Sequence, residues 1–499
     1  MKVVYDEKNR VAQKQYRVDG TGHQTRYLYG DVAKQQKPGL EYGVQVDGKT
    51  CIEYAYDLLG RCEKKTQIYP SGKKKEITYT YVPGAKEGTT TALVGTITEN
   101  GKETAYTYDG RGNILEICTK ELDTGKVTDH MLYTYNGMNQ VIREEDAVRG
   151  RTFTYAYDLG GNLLENKKYD QVNGVEELRG TDTYTYSSGW KDQLTSFNGK
   201  AITYDAMGNP LSYMGMNLTW EKGRQLKTLK KSGTLSQYVY DNDGRRIQKT
   251  VGDKVTRFYL DGDKIIAQKE EGGERMDFLY DEKGTPFAFE YQEKMYFYQT
   301  NLQGDIIGIV DSKGSQVVVY RYDAWGGLLV SSDVSRFGLA QINPLRYRGY
   351  YYDQETGLYY LQTRYYDPKV RRFLNADDAS VLTKDPEQLT EKNLYAYCDD
   401  NPVMYRDDAG MFAFSVGLGV LGMVTNVATC YIASKATGQE FGIGDLVIAA
   451  AAGFVGGCIK NNFYATVASI LISGVGTTFY SLFCGDNLKT ALWKGGMTI

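Results

Sequence analysis

The feature that most constrains this chain is a beat of about 20 residues built on Tyr-x-Tyr-Asp-x-x-Gly-(Arg/Asn). Copies stand at 54–61, 106–113, 133–140, 155–162, 202–209, 238–245, 278–285 and 320–327, and weaker ones at 218–225, 258–265 and 298–305. The marker residues Asp205, Glu221, Asp241, Asp261, Asp281, Asn301 and Asp323 are spaced by 16, 20, 20, 20, 20 and 22. The chain begins inside a copy, at Tyr5 to Arg10. In an extended strand, Tyr238 and Tyr240 point to one face. Asp241 then accepts from nearby backbone N–H groups to start a turn, and Gly244 closes it in the left-handed region. Each period therefore predicts one β-hairpin, and such hairpins must stack on their neighbours to bury a face.

The expected turn pairs are Asp57 and Gly60, Asp109 and Gly112, Asp158 and Gly161, Asp205 and Gly208, Asp241 and Gly244, Asp281 and Gly284, and Asp323 and Gly326. An aspartate recurring before a turn glycine is a turn residue before it is a catalytic acid. A recurring tyrosine is packing first, and the alternative is a ligand-binding face of aromatic rows that takes surface carbohydrate. The composition agrees with strand and turn: 44 Tyr, 56 Gly and 9 Pro. The 59 basic and 62 acidic residues nearly cancel, which excludes capture of nucleic acid by bulk charge. Two histidines leave little room for His-based catalysis or a His-rich metal site, so no metal and no cofactor are expected. Seven scattered cysteines without a CxxC form no disulfide framework. The first residues, MKVVYDEKNR, carry no apolar run of signal-peptide type, so export uses another route or the chain is the tail of a longer product.

Charge stops abruptly near Gly410. From Met411 to Ile499 there are 7 charged residues, against 114 before them, and 3 of the 44 tyrosines. Two uncharged runs, 411–430 and 463–484, have membrane-span length, and a third, 446–458, is shorter. Two readings stand side by side: an apolar helical segment sheltered by protein, or one that inserts into lipid.

The repeats resemble the Rhs/YD-repeat superfamily, which includes bacterial Rhs polymorphic toxins, wall-associated protein A, the Tc toxin C component and the teneurin YD shell. The segment from Pro344 through Arg364, Asp367 and Arg372 to Asp377 is similar to the Rhs repeat-associated core, and Asn393 to Tyr397 with Asn401-Pro402 to its closing part. The resemblance implies a mainly β fold, a hairpin ribbon coiled into a hollow shell, with a small α-helical apolar C-terminal segment. It implies a repeat shell over 1–343, a core or plug over 344–410, and a variable tip, linker or membrane segment over 411–499. The implied partner is the chain's own C-terminal region as cargo, with a membrane, an immunity protein or a surface carbohydrate as further partners, and no nucleic acid. The implied location is secreted or at the cell surface. Delivery of that cargo in bacterial competition is the first functional expectation, and a structural adhesin is another.

Several relatives resemble self-cleaving aspartyl proteases, chemistry that needs two carboxylates in different protonation states. By resemblance, Asp377 takes the first acidic place, with Arg372 in the same motif. The second aspartate has no counterpart in Gln388 to Asn393, where Glu391 is the nearest acid. The cleavage boundary would fall at Gly410 and Met411, after Asp407-Asp408, where the family has Asp-Pro. The opposing reading makes Asp377, Asp378, Asp407 and Asp408 turn or ion-pair residues near Arg364, Arg371, Arg372 and Arg406, and the expectation leans against an enzyme.

Overall fold

A computed structural model describes residues 1–37, 39–86, 88–377, 393–407, 410 and 413–415. Strand follows strand from Lys2 to Asp333, and within each sheet the pairings of defined register are antiparallel. Seventeen strands ending at Ala201 form one sheet, and fourteen from Thr203 to Asp333 form a second. A third, of four short strands, runs from Tyr351 to Phe373. Among the described residues, helix is limited to single turns such as Leu339–Ile342. The chain divides into two compact units. Among the described residues, the larger holds those within 1–79, 97–403 and 407–410, and the smaller those within 80–96, 404–406 and 413–415. In the smaller unit the Thr80 and Thr96 hydroxyls meet at 2.8 Å.

The repeat motif explains the hairpins atom by atom. Asp57 Oδ1 accepts the N–H groups of Leu59 and Arg61, each at 2.9 Å, while the Gly60 N–H donates to the Asp57 carbonyl at 3.0 Å. Asp109, Asp158, Asp205 and Asp241 accept the same pair of N–H groups, two and four residues on. Asp323 does so through Trp325 and Gly327, and Asp281 accepts from Thr285. Gly60, Gly112, Gly161, Gly208, Gly244, Gly284 and Gly326 all have φ between +73° and +84°, which favours a residue without Cβ. The last motif position closes the turn from its other side. Arg61 Nε and Arg245 Nε donate to the second oxygen of Asp57 and Asp241 at 2.6 and 2.9 Å. Asn113, Asn162 and Asn209 do the same to their aspartates at 2.8, 2.9 and 2.9 Å. In the copy at 298–305 the polarity is exchanged, with Asn301 Nδ2 donating to Asp305 at 2.7 Å. Asp261 heads a shorter turn, pairing directly with Lys264, and its carboxylate takes Lys14 at 2.5 Å.

The two tyrosines of each copy do different work. The first is packing: Tyr106, Tyr155 and Tyr238 are buried, while Val239 between the rings of its copy is exposed. The second reaches across the sheet. Tyr135, Tyr157, Tyr186 and Tyr204 each donate the phenol proton at 2.7 Å to a backbone carbonyl earlier in the chain, on Ile114, Val141, Leu163 and Leu194. Tyr240 donates to Leu226 at 3.0 Å, and where the copy at 218–225 has Trp220, its indole N–H donates to Pro210 at 2.7 Å. These carbonyls belong to residues at register shifts in the ladder, where the regular pairing is interrupted.

Within the larger unit, early strands pack on late ones. Tyr27, Val44, Ile52 and Tyr69 share a core with Leu279, Phe287, Phe297 and Val310. Tyr16 and Val18 pack on Ile266 and Ala267. A band of rings from Tyr347, Tyr350, Tyr359, Tyr366 and Tyr397 fills the region after residue 344, and Tyr366 stacks on Tyr397 at 4.1 Å between centroids.

Candidate functional site

Residues 344–403 are rich in arginine, and those arginines are buried. Burial of a guanidinium calls for its donors to be met, and the terminal nitrogens here are, whereas Nε of Arg348 and of Arg371 makes no hydrogen bond. Arg348 donates to the carbonyls of Gln303, at 2.7 Å, and Pro402. Arg371 meets the Tyr184 hydroxyl at 3.3 Å and Asp182 at 3.5 Å. Asp353 receives Arg246 at 2.6 and 3.1 Å and Lys249 at 2.9 Å, with no exposed side-chain surface on Arg246 or Asp353. Burial alone would raise the Asp353 pKa, but Arg246 and Lys249 hold it below the usual carboxylate value.

The constellation with chemical potential centres on Arg364. Leu361 and Arg364 face each other across a tight turn in which Gln362 has φ of +65°, so Thr363 and Arg364 present their side chains together. Arg364 Nη2 lies 3.1 Å from Asp377 and 3.2 Å from Asp407. Its Nε donates to the Gly410 carbonyl at 2.6 Å, and the Thr363 hydroxyl donates to the same oxygen at 3.0 Å. Its remaining arm reaches the Leu394 carbonyl at 3.1 Å, and the guanidinium lies 3.5 Å from the centre of the Phe373 ring. Burial lowers the Arg364 pKa against the opposing effect of the two carboxylates. The backbone orients both acids: the Asp377 N–H donates to the Leu394 carbonyl at 2.9 Å, and the Asp407 N–H donates to the Tyr350 hydroxyl at 2.9 Å. Gly410 has φ of +73°, and a Cβ there would stand 2.7 Å from Thr363 Oγ1 and 2.8 Å from the Leu361 carbonyl.

Chemically, this is a peptide carbonyl polarised by a guanidinium and a hydroxyl, with two carboxylates on the same guanidinium. Of the predicted site residues, the structure brings Asp377 and Gly410 to one arginine. That arginine is Arg364. Arg372 instead ties the segment to a repeat turn, donating to Asn162 at 3.4 Å, Tyr186 at 3.1 Å, the Asp192 carbonyl at 2.7 Å and Asn393 at 3.1 Å. Glu391 and Met411 lie outside the described residues, as do the uncharged runs at 446–458 and 463–484; of the run at 411–430 only Ala413–Ser415 is described, and it is a strand where helix was expected. Among the described residues no helix is long and apolar enough to cross a membrane. Thr363 was not singled out by sequence. Its only signal is its place beside Arg364 in a tight strand turn.

A ribbon of hairpins with tyrosine-clamped turns, carrying a ring-packed segment after it, defines a YD-repeat protein. The Teneurin YD-shell family matches residues 96–403, and the chain belongs to it. The chain is 32% identical over 348 residues to the tRNA nuclease WapA of Bacillus subtilis, a match covering 64% of this chain and 14% of WapA. It is 24% identical over 507 aligned positions to the toxin protein Tse5 of Pseudomonas aeruginosa, covering 80% of this chain and 37% of Tse5. The solved structure of TcdB2-TccC3-Cdc42 has the same fold over 82% of this chain and 21% of that one, with a TM-score of 0.64 at 19% identity. This chain thus spans a minor part of the length of each.

Proposed function

We propose that this YD-repeat shell carries and delivers the polypeptide that follows Gly410, in contact-dependent competition between bacteria. The observation that carries the reading is the clasp on Gly410. Arg364 and Thr363 grip the Gly410 carbonyl in a buried polar cluster, at the residue where charge nearly vanishes from the sequence. The toxin names among the relatives support it. The test is protease protection of residues 411–499 in the full chain, read by mass spectrometry. Protection that lasts until the repeats unfold supports carriage. Digestion of the tail at the rate of a free peptide, with the repeats intact, refutes it.

A second reading is self-cleavage near Gly410 and Met411, favoured by Asp377 and Asp407 sharing Arg364 beside the Gly410 carbonyl. In this reading Asp407 stands in for the second aspartate, which the family has upstream of Asn393 and this chain lacks. The intact mass of the full chain after incubation, beside Asp377→Asn and Asp407→Asn, decides it. A fragment that both variants abolish supports the reading, and an uncut wild-type chain overturns it. Insertion of the tail into lipid is tested separately by dye leakage from liposomes on adding the full chain.

A further inference from the structure

We propose that His23, Asp277 and Glu290 form a binding site for a divalent transition-metal ion of the zinc class, at the place where the first repeat meets the late strands. Asp277 and Glu290 are register partners on the adjacent strands Arg275–Tyr280 and Pro286–Tyr291, so their carboxylates leave the same face of the sheet side by side. Like charges placed directly opposite repel, and a cation between them removes that cost. His23 faces the pair from the first sheet. It is 6% exposed.

The imidazole is prepared as a ligand. Its Nδ1 lies 2.7 Å from Asp47 Oδ2, and Asp47 is itself fixed by accepting the Gln24 N–H at 2.9 Å. An ionised carboxylate only accepts, so Nδ1 carries the proton and Nε2 presents its lone pair. Nε2 is buried and makes no hydrogen bond; Glu290 Oε2 stands 3.6 Å away. One ligand atom from each of His23, Asp277 and Glu290 lies within 4.8 Å of the others. Metal–ligand distances of about 2.0–2.2 Å then require a small inward movement, which the half-buried Glu290 can supply. The remaining polar groups at the site are Tyr16, donating to Asp277 Oδ1 at 3.2 Å, and Arg275, donating to Asp277 Oδ2 at 2.7 Å. Arg275 also grips the Val18 carbonyl at 2.6 Å, so the same seam is already stitched by charge. One imidazole and two carboxylates suit zinc or manganese, whereas calcium prefers oxygen alone. A scarcity of histidine does not exclude such a site, because the carboxylates supply the rest of the ligand set.

The experiment uses the full chain, stripped with chelator and titrated with zinc chloride, and separately with manganese chloride, by calorimetry near pH 7.5. One equivalent is expected for the wild type, with a rise in the thermal midpoint. His23→Ala and the isosteric Glu290→Gln should each lose it, and Glu290→Gln should keep the metal-free midpoint close to wild type. His130→Ala, which removes the other histidine, should leave the binding intact. Absence of stoichiometric binding in the wild type overturns the site, and leaves His23 as a structural residue between Asp47 and Glu290. Binding that survives in both His23→Ala and Glu290→Gln, or disappears in His130→Ala, also overturns it.

Discussion

Replacing Asp353 with asparagine removes the one carboxylate that neutralises two buried cations, and its cost can be worked from the structure. Asp353 holds Arg246 by two charge-assisted bonds and Lys249 by a third. Lys249 has a second partner, Glu355, at 3.0 Å and keeps part of its stabilisation. Arg246 has no other acid among its described partners. It is surrounded by rings, with Tyr360 at 4.2 Å and Tyr351 at 5.0 Å from the guanidinium, and these offset only part of the charge. Removing one partner of a buried pair typically costs 3–5 kcal/mol, so about 4 kcal/mol is expected here. Urea unfolding followed by fluorescence measures it. The double variant Arg246→Met with Asp353→Leu should recover most of the loss, because the guanidinium leaves with its carboxylate and Lys249 keeps Glu355. A loss below about 1 kcal/mol in Asp353→Asn, or a double variant at least as unstable as the single, refutes the reasoning.

Removing the phenol of Tyr157 or of Tyr240 by substitution with Phe leaves the Val141 or Leu226 carbonyl without its donor; each should cost about 1 kcal/mol in urea unfolding, and the two should add. Asp400 is pushed up to about 7, chiefly by burial. The folded state therefore keeps its proton where the unfolded state releases it, and stability falls as pH rises from about 4 to about 7, by a few kcal/mol at most. Asp400→Asn should lose that fall, which melting curves across this range would show; an identical pH profile in variant and wild type would contradict it. Gly410→Ala places a methyl on Thr363 and Leu361 and should loosen the clasp, speeding proteolysis close to residue 410 while repeat strands stay resistant, as peptide mapping would reveal.

The motif at 238–245 made the hairpin legible, since spacing, turn aspartate and glycine each carry a local physical meaning. The last motif position was harder to read. Arg245 simply follows the turn glycine in sequence, yet its Nε closes the turn on Asp241. The second tyrosine was legible as packing only, because its acceptor lies on the preceding strand and depends on register. The Arg364 site joins residues 363, 364, 377, 407 and 410, and no local pattern in the sequence says that these converge. Position in the motif also could not distinguish Arg372, which anchors a repeat turn, from Arg364, which meets Asp377.

The turn chemistry has a consequence for how such a chain can lengthen. Each copy brings its own fasteners: the aspartate is satisfied by the four residues after it, and the tyrosine by the strand before it. An in-frame duplication of one period would therefore arrive as a working part, needing no compensating change elsewhere in the gene. The limit is set by the ties from residues 344–403, such as Asn401 on Asn113, Asp400 on Gln140, Asn393 on Asn162 and Asp353 on Arg246. These fix particular copies to particular places, as mortar fixes chosen bricks. Register downstream of Asn113 is locked by these ties, and the stretch from Lys14 to Tyr69 is held separately by its contacts with the late strands.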